Sequence, residues 1–290
     1  MTMKGTYIFL LVAGLSLVIV MLVIIVIYKT IIRDIYTLAE TSPEILIEKN
    51  LLSPTKKKVV FIGDSLTRAN VSKSFIEKVE EKLGGEKYQY INAGINSELS
   101  YHVLTRLESI QHLEPDYIII LIGTNDVNWE FYTRHHKRLW KRLHLPEQPT
   151  KQSYEENLTR IVKTLKEKAA KAKIALCSLP ILGEKEQHPA FQEAITYSRI
   201  IEKVAKEEGV AYLPVNEEMI AYLRKNPSKS KFNYSIRLVE RAIYHRYIRK
   251  QDLDEISKKF GFSLLTDQIH LNSKGAEIVA NLVCDFLRDE

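Results

Sequence analysis

Val59-Val60-Phe61-Ile62-Gly63-Asp64-Ser65-Leu66 is the stretch on which the fold turns. An apolar, β-branched run ends abruptly in a glycine and two polar residues. Such a run, too short for a helix and without polar alternation, predicts a strand buried on both faces, as in a parallel sheet. The same pattern recurs along the chain. Residues 88–92 lead into Ala93-Gly94, residues 117–122 lead into Gly123-Thr124-Asn125-Asp126, and further apolar runs lie at 174–177 and 210–213. Amphipathic stretches fall between and after them, at 72–83, 99–112, 153–172, 189–208 and 273–288. Strands alternating with helices predict an α/β domain with a central parallel sheet covered on both faces. In such sheets chemistry collects at the carboxyl ends of the strands, and the polar residues of this chain fall at those ends.

Those residues form a chemical set. A serine hydroxyl is a weak nucleophile at neutral pH and needs an adjacent base, itself oriented by a third group. Ser65 follows the first strand, and Asp267-Gln268-Ile269-His270 precedes the last helix. A spacing of three lets one tight turn bring the Asp267 carboxylate to one imidazole nitrogen of His270, leaving the other for Ser65. Attack on an ester creates an oxyanion that needs fixed donors, and the backbone N–H groups of Ser65 and Gly94 and the side-chain amide of Asn125 are suitable types. Asp64 and Asp126 are expected to cap helices or brace turns. Of the eight histidines, His135, His136 and His144 lie close in sequence, but no carboxylate or cysteine completes a metal set with them.

These blocks resemble the GDSL or SGNH hydrolase family: Gly63-Asp64-Ser65-Leu66, the Asn-x-Gly turn ending at Gly94, Gly123-x-Asn125-Asp126, and Asp267-x-x-His270 near the C-terminus. Each block is weak alone, but the four occur in the family's order over residues 58–290. The resemblance implies a flavodoxin-like three-layer α/β/α sandwich, with Ser65 as nucleophile, His270 as base and Asp267 as its partner. It also implies Ser65, Gly94 and Asn125 as the oxyanion hole, and neither cofactor nor metal. One departure stands out: many members carry a second glycine shortly after the one matching Gly94, where this chain has Asn96-Ser97. Related enzymes act on short acyl esters, lysophospholipids, thioesters and acetylated sugars. A lipid-type ester is the first expectation, and an envelope polysaccharide O-acetyl esterase or acyltransferase is the alternative. A membrane-tethered binding module without turnover is a third reading.

Outside the catalytic blocks, residues 6–28 carry no charge and are bounded by Lys4 and Lys29. At 1.5 Å per helical residue this run spans a hydrocarbon core of roughly 30 Å. It is longer than the apolar region of a signal peptide and no small-x-small cleavage site follows. Residues 1–29 are therefore expected as a single-pass anchor in the cell membrane, with the catalytic domain outside the cytoplasm. Residues 30–57, broken by Ser42-Pro43, Ser53-Pro54 and a lysine run, are expected as a stalk, and 58–290 as the catalytic domain.

Two inserts concentrate the positive charge. One, at 127–149, mixes Trp129, Phe131, Tyr132 and Trp140 with five basic residues; the other, at 224–265, carries eleven Lys or Arg against four Asp or Glu between 224 and 259. The chain as a whole is only +6, so the rest is mildly acidic. The aromatic residues of the first insert are candidates for an acyl pocket. Basic inserts beside a membrane suit anionic lipid or an acidic polymer, or are simply a solvated face. With no recognised motif, nucleic acid is not expected as a partner. Cys177 and Cys284 are distant in sequence and expected as buried free thiols, which excludes a disulfide scaffold.

Overall fold

Five apolar runs pair into one parallel sheet in a computed structural model that describes residues 3–131 and 145–288. The strands are β1 (Lys57–Gly63), β2 (Tyr88–Gly94), β3 (Tyr117–Leu121), β4 (Lys173–Cys177) and β5 (Ala211–Leu213), in the order β2-β1-β3-β4-β5. Register runs Gly63 against Gly94 on one side of β1 and against Leu121 on the other. The order therefore reverses direction at β1, and the crevice at its carboxyl end is the switch point where α/β sheets bind ligands. All of β3 is buried, and Val59, Val60, Phe61 and Ile62 of β1 are fully shielded. That explains a run without polar alternation.

Helices cover both faces. On one lie α4 (Phe75–Leu83), α10 (Val215–Lys225) and α13 (Ser273–Arg288). On the other lie α5 (Ser100–Thr105), α8 (Lys151–Lys168) and α9 (Pro189–Glu208). This is the three-layer flavodoxin-like sandwich expected from the sequence. The expected helix at 99–112 is instead two, α5 and α6 (Leu107–Gln111), divided at Arg106. Arg106 is held sideways, its guanidinium paired with Glu98 and donating to Ala93 O at 2.7 Å. Cys177 and Cys284 are both buried and unbridged.

The chain divides into two units, residues 1–37 and 38–290. The first is a single helix, α1 (Met3–Tyr36). Its segment Val12–Tyr36 has a mean hydropathy of 2.8, enough in length and composition to cross a membrane. A signal sequence has the same character.

The expected stalk of residues 30–57 is not one element. Its first residues continue α1, whereas the chain from Leu38 belongs to the catalytic unit. There Ala39, Ser42 and Leu46 are buried, and α2 (Pro43–Glu48) starts on a Ser42 cap. Backbone and side-chain bonds fix the segment: Asn92 N donates to Thr41 O at 3.0 Å, Arg68 Nη2 to Leu38 O at 3.2 Å and Gln89 Nε2 to Leu51 O at 2.9 Å.

The second insert folds as α11 (Ile236–Tyr247) and α12 (Leu253–Phe260). Helix α11 buries Leu238, Val239 and Ala242 and turns Arg237, Arg241, Tyr244 and the following Ile248 outward. Of the first insert, residues 127–131 close helix α7 (Thr124–Phe131). Tyr132, Trp140, its five basic residues, and His135, His136 and His144 lie outside the described residues.

Candidate active site

The site begins where β1 ends. Asp64 is the N-cap of a short helix, α3 (Ser65–Arg68), and its Oδ1 accepts from Leu66 N at 3.0 Å. Ser65 is thus the first residue of a helix, where backbone N–H groups lack partners within the helix. The α3 helix lies against the end of β2. A Cβ on Gly94 would come within 2.3 Å of Arg68 N and 2.7 Å of Thr67 C, so any side chain there would displace the helix that carries Ser65. The turn after Gly94 forms without the second glycine: Ser97 itself adopts φ +68°, a left-handed conformation that costs roughly 1–2 kcal/mol outside glycine.

The second wall is a tight hairpin. Leu265 bridges Leu271, Thr266 N donates to His270 O at 2.6 Å, and Asn272 N donates to Leu264 O at 3.0 Å. Asp267 and His270 sit at its tip. Asp267 Oδ1 accepts from Ile269 N at 2.7 Å and His270 N at 3.0 Å, which leaves Oδ2 for His270 Nδ1 at 2.8 Å. His270 Nε2 then lies 3.0 Å from Ser65 Oγ. A carboxylate accepting on Nδ1 selects the tautomer in which Nε2 is unprotonated, able to take the Ser65 proton. Ser65, Asp267 and His270, 205 positions apart between serine and histidine, are brought into one hydrogen-bonded line.

Electrostatics reinforce that line. Burial alone would raise the Asp267 pKa, but the imidazole and the backbone amides outweigh it and hold the carboxyl below its usual range. For His270 burial pulls downward, while Asp267 and then Asp64 pull upward, and the net direction is upward. Asp64 itself is fully enclosed, and desolvation pushes it up to about 7. Asp126 is likewise raised by burial, to about 6, while accepting from Ser100 Oγ at 2.6 Å. Both aspartates cap or brace as expected. Asp64 does more than the sequence suggested, because its carboxylate, when ionised, also favours the protonated form of His270.

The remaining expected donors border the same crevice but are engaged in it. Asn125, in the first turn of α7, donates through Nδ2 to Glu98 O at 2.9 Å and to Asp64 Oδ2 at 3.3 Å. Gly94 N donates to Asn92 Oδ1 at 3.0 Å. An oxyanion would have to share or displace the longer Asp64 contact and the Asn92 contact. Gly123, at φ +129°, brings the β3 end over Tyr154, whose hydroxyl donates to Ile122 O at 2.8 Å. The aromatic residues proposed for an acyl pocket divide. Trp129 is buried in a small cluster with Leu99 and Leu145, and Phe131 packs against His188 and Tyr234. Among the described residues no cluster of His, Cys, Asp and Glu has the makings of a metal site.

Solved structures share this architecture. The acetyl xylan esterase AlAXEase superposes with a TM-score of 0.56 at 22% identity, covering 79% of this chain and 99% of its own. The acetylxylan esterase Axe2 from Geobacillus stearothermophilus gives a TM-score of 0.56 at 18% identity, covering 82% of this chain and 98% of its own. Axe2 structures described as catalytic mutants replace a serine, an aspartate or a histidine by alanine, the last two being three positions apart in that chain. No curated protein matches the sequence. The model of the GDSL-like Lipase/Acylhydrolase family matches residues 61–278, and the chain belongs to that family of ester-hydrolysing enzymes.

Proposed function

We propose that the protein is a membrane-anchored serine esterase in which Ser65 attacks the ester, His270 moves the proton and Asp267 orients His270. The observation that carries this reading is the unbroken line Ser65 Oγ to His270 Nε2 to Asp267, with links of 3.0 and 2.8 Å. As Ser65 Oγ bonds to the acyl carbon, its proton passes to Nε2 and the carbonyl electrons move onto oxygen. Collapse expels the alcohol, which takes the proton from His270. Water then repeats the sequence on the acyl-enzyme, giving its proton to His270 and releasing the acid as Oγ is reprotonated. The oxyanion of both steps would be met by the Ser65 and Gly94 amides and Asn125, each donor worth roughly 2.7–4 kcal/mol.

Small acyl groups on carbohydrate are the substrate class we favour over lipid esters. Trp129, one of the residues offered for a lipid acyl pocket, is instead packed against Leu99 and Leu145. The acetylxylan esterases of the same fold supply the analogy. Full-length protein in detergent should therefore hydrolyse p-nitrophenyl acetate with higher kcat/KM than the butyrate, and the palmitate least. A palmitate rate above the acetate rate would return the assignment to lipid esters.

Helix α1 anchors the enzyme in this reading, with the domain outside and the outward face of α11, with Arg237, Arg241, Tyr244 and Ile248, against anionic headgroups. Trypsin added to intact cells should cut the domain, and cleavage between residues 237 and 250 should be slower than in detergent. A domain untouched until the cells are lysed would reverse the orientation. Equal cleavage of 237–250 in both settings would remove the headgroup contact.

A further inference from the structure

We propose that Glu184, far from Ser65 in sequence and absent from the catalytic line, is a positioning residue that holds the hairpin bearing Asp267 and His270. The inference rests on the catalytic roles just proposed for that pair. Glu184 lies on the loop after β4 and is 8% exposed. Its two carboxylate oxygens accept three consecutive backbone amides: Ser263 N at 2.8 Å on Oε2, and Leu264 N at 2.7 Å and Leu265 N at 2.9 Å on Oε1. Those residues are the root of the hairpin, where Leu264 accepts from Asn272 N and Leu265 bridges Leu271. The preceding residue grips the tip, because Gly183 N donates to Gln268 O at 2.8 Å. Two adjacent positions on one loop thus hold the root and the tip of the hairpin that carries Asp267 and His270.

A carboxylate is the group this site requires. Three amide donors converge on two oxygens, and an ionised carboxyl offers only acceptors. Glutamine has nearly the same shape, but it turns one oxygen into an NH₂ that confronts a backbone N–H. One or more buried amides then lose their partner, and the hairpin root shifts to relieve the clash. A displacement of about 1 Å at a catalytic group can cost roughly 10²-fold in rate. Loosening the Asp267–His270 contact also weakens the interaction that holds the His270 pKa above its ordinary value. The Glu184 carboxylate is committed to the hairpin amides, so its loss should fall on kcat more than on KM.

The test uses full-length protein in detergent, with p-nitrophenyl acetate turnover and the pH dependence of Ser65 labelling by a fluorophosphonate. Glu184→Gln should lower kcat by about tenfold or more, leave KM nearly unchanged, and move the acid midpoint of labelling downward. Glu184→Asp keeps both oxygens on a shorter arm and should recover part of the rate and of the midpoint. An unchanged midpoint with normal kcat in Glu184→Gln overturns the proposal. Where neither variant folds, amide hydrogen exchange on the wild type decides: the Ser263, Leu264 and Leu265 amides should be strongly protected, and exchange as fast as an open loop would sink the idea. Turnover that survives Ser65→Ala would fault the catalytic roles proposed for Ser65 and His270 instead, leaving the exchange result to judge the clamp.

Discussion

Ser65→Ala is expected to lower kcat for p-nitrophenyl acetate by roughly 10⁶-fold while leaving the fold intact, since removal of a nucleophile in serine hydrolases has effects of that order. The structural cost is small. Ser65 is 8% exposed at the start of α3, and its neighbours Leu66 and Thr67, not its hydroxyl, fill the space beneath the helix. The cap from Asp64 to Leu66 N and the packing of Gly94 on Thr67 and Arg68 persist in the variant. KM should stay near the wild-type value, because alanine leaves the crevice and its donors unchanged. Fluorophosphonate labelling should vanish with the activity. A variant that still turns over at the wild-type rate would mean that the 3.0 Å contact between Ser65 and His270 is structural. The nucleophile would then be another group.

How far this site was legible in the sequence depends on the range of the interactions that build it. Ser65, Gly94 and Asn125 stand at or just past the ends of strands, and a strand end announces itself by an apolar run giving way to glycine and a polar residue. The pairing of Asp267 with His270 is equally local, a spacing of three that one turn closes. Helices α9 and α13 matched their expected limits because punctuation marks them: Pro189 begins α9, and Gly209 ends it in a left-handed cap. The break at Arg106 carries no such mark. It goes with a side chain drawn toward Glu98 and Ala93, neither on the same helix. Residues 38–57 looked like a stalk for the same reason. Their composition is polar and broken by proline, and what holds them is donated by Asn92, Arg68 and Gln89 of the domain. Glu184 is the extreme case. It contacts amides about 80 positions away, and a backbone N–H leaves no trace in the identity of the residue that bears it. The engaged state of Asn125 and Gly94 was also beyond reach, because their partners are a carbonyl, a capping aspartate and an Asn92 side chain set by the turn.

Asp267→Asn should reduce kcat by about 10⁴-fold, the scale set by the equivalent change in Ser-His-Asp enzymes. The carboxylate has two functions here, one per oxygen. Oδ1 gathers the amides of Gln268, Ile269 and His270, and Oδ2 accepts from His270 Nδ1. Asparagine can keep its oxygen toward the three amides, which preserves the turn and leaves the hairpin folded. The NH₂ then faces Nδ1 and can only donate, so the proton moves to Nε2, the nitrogen beside Ser65 Oγ. Imidazole in that tautomer has no lone pair for the serine proton, and the base is lost without any displacement. The pH dependence carries the same signature. In the wild type, Asp267 and Asp64 outweigh desolvation and raise the His270 pKa, so activity should fall as pH drops through a midpoint above the ordinary imidazole value. Below that midpoint His270 is protonated and cannot act as base. Removing the Asp267 charge takes away the larger of the two upward influences and leaves burial to pull the other way. The residual activity of Asp267→Asn should therefore persist to lower pH than that of the wild type, even though it is far smaller at every pH. A residual rate whose acid midpoint stays where the wild type has it would show that Asp267 does not set the His270 charge, and the orienting role would pass to another group.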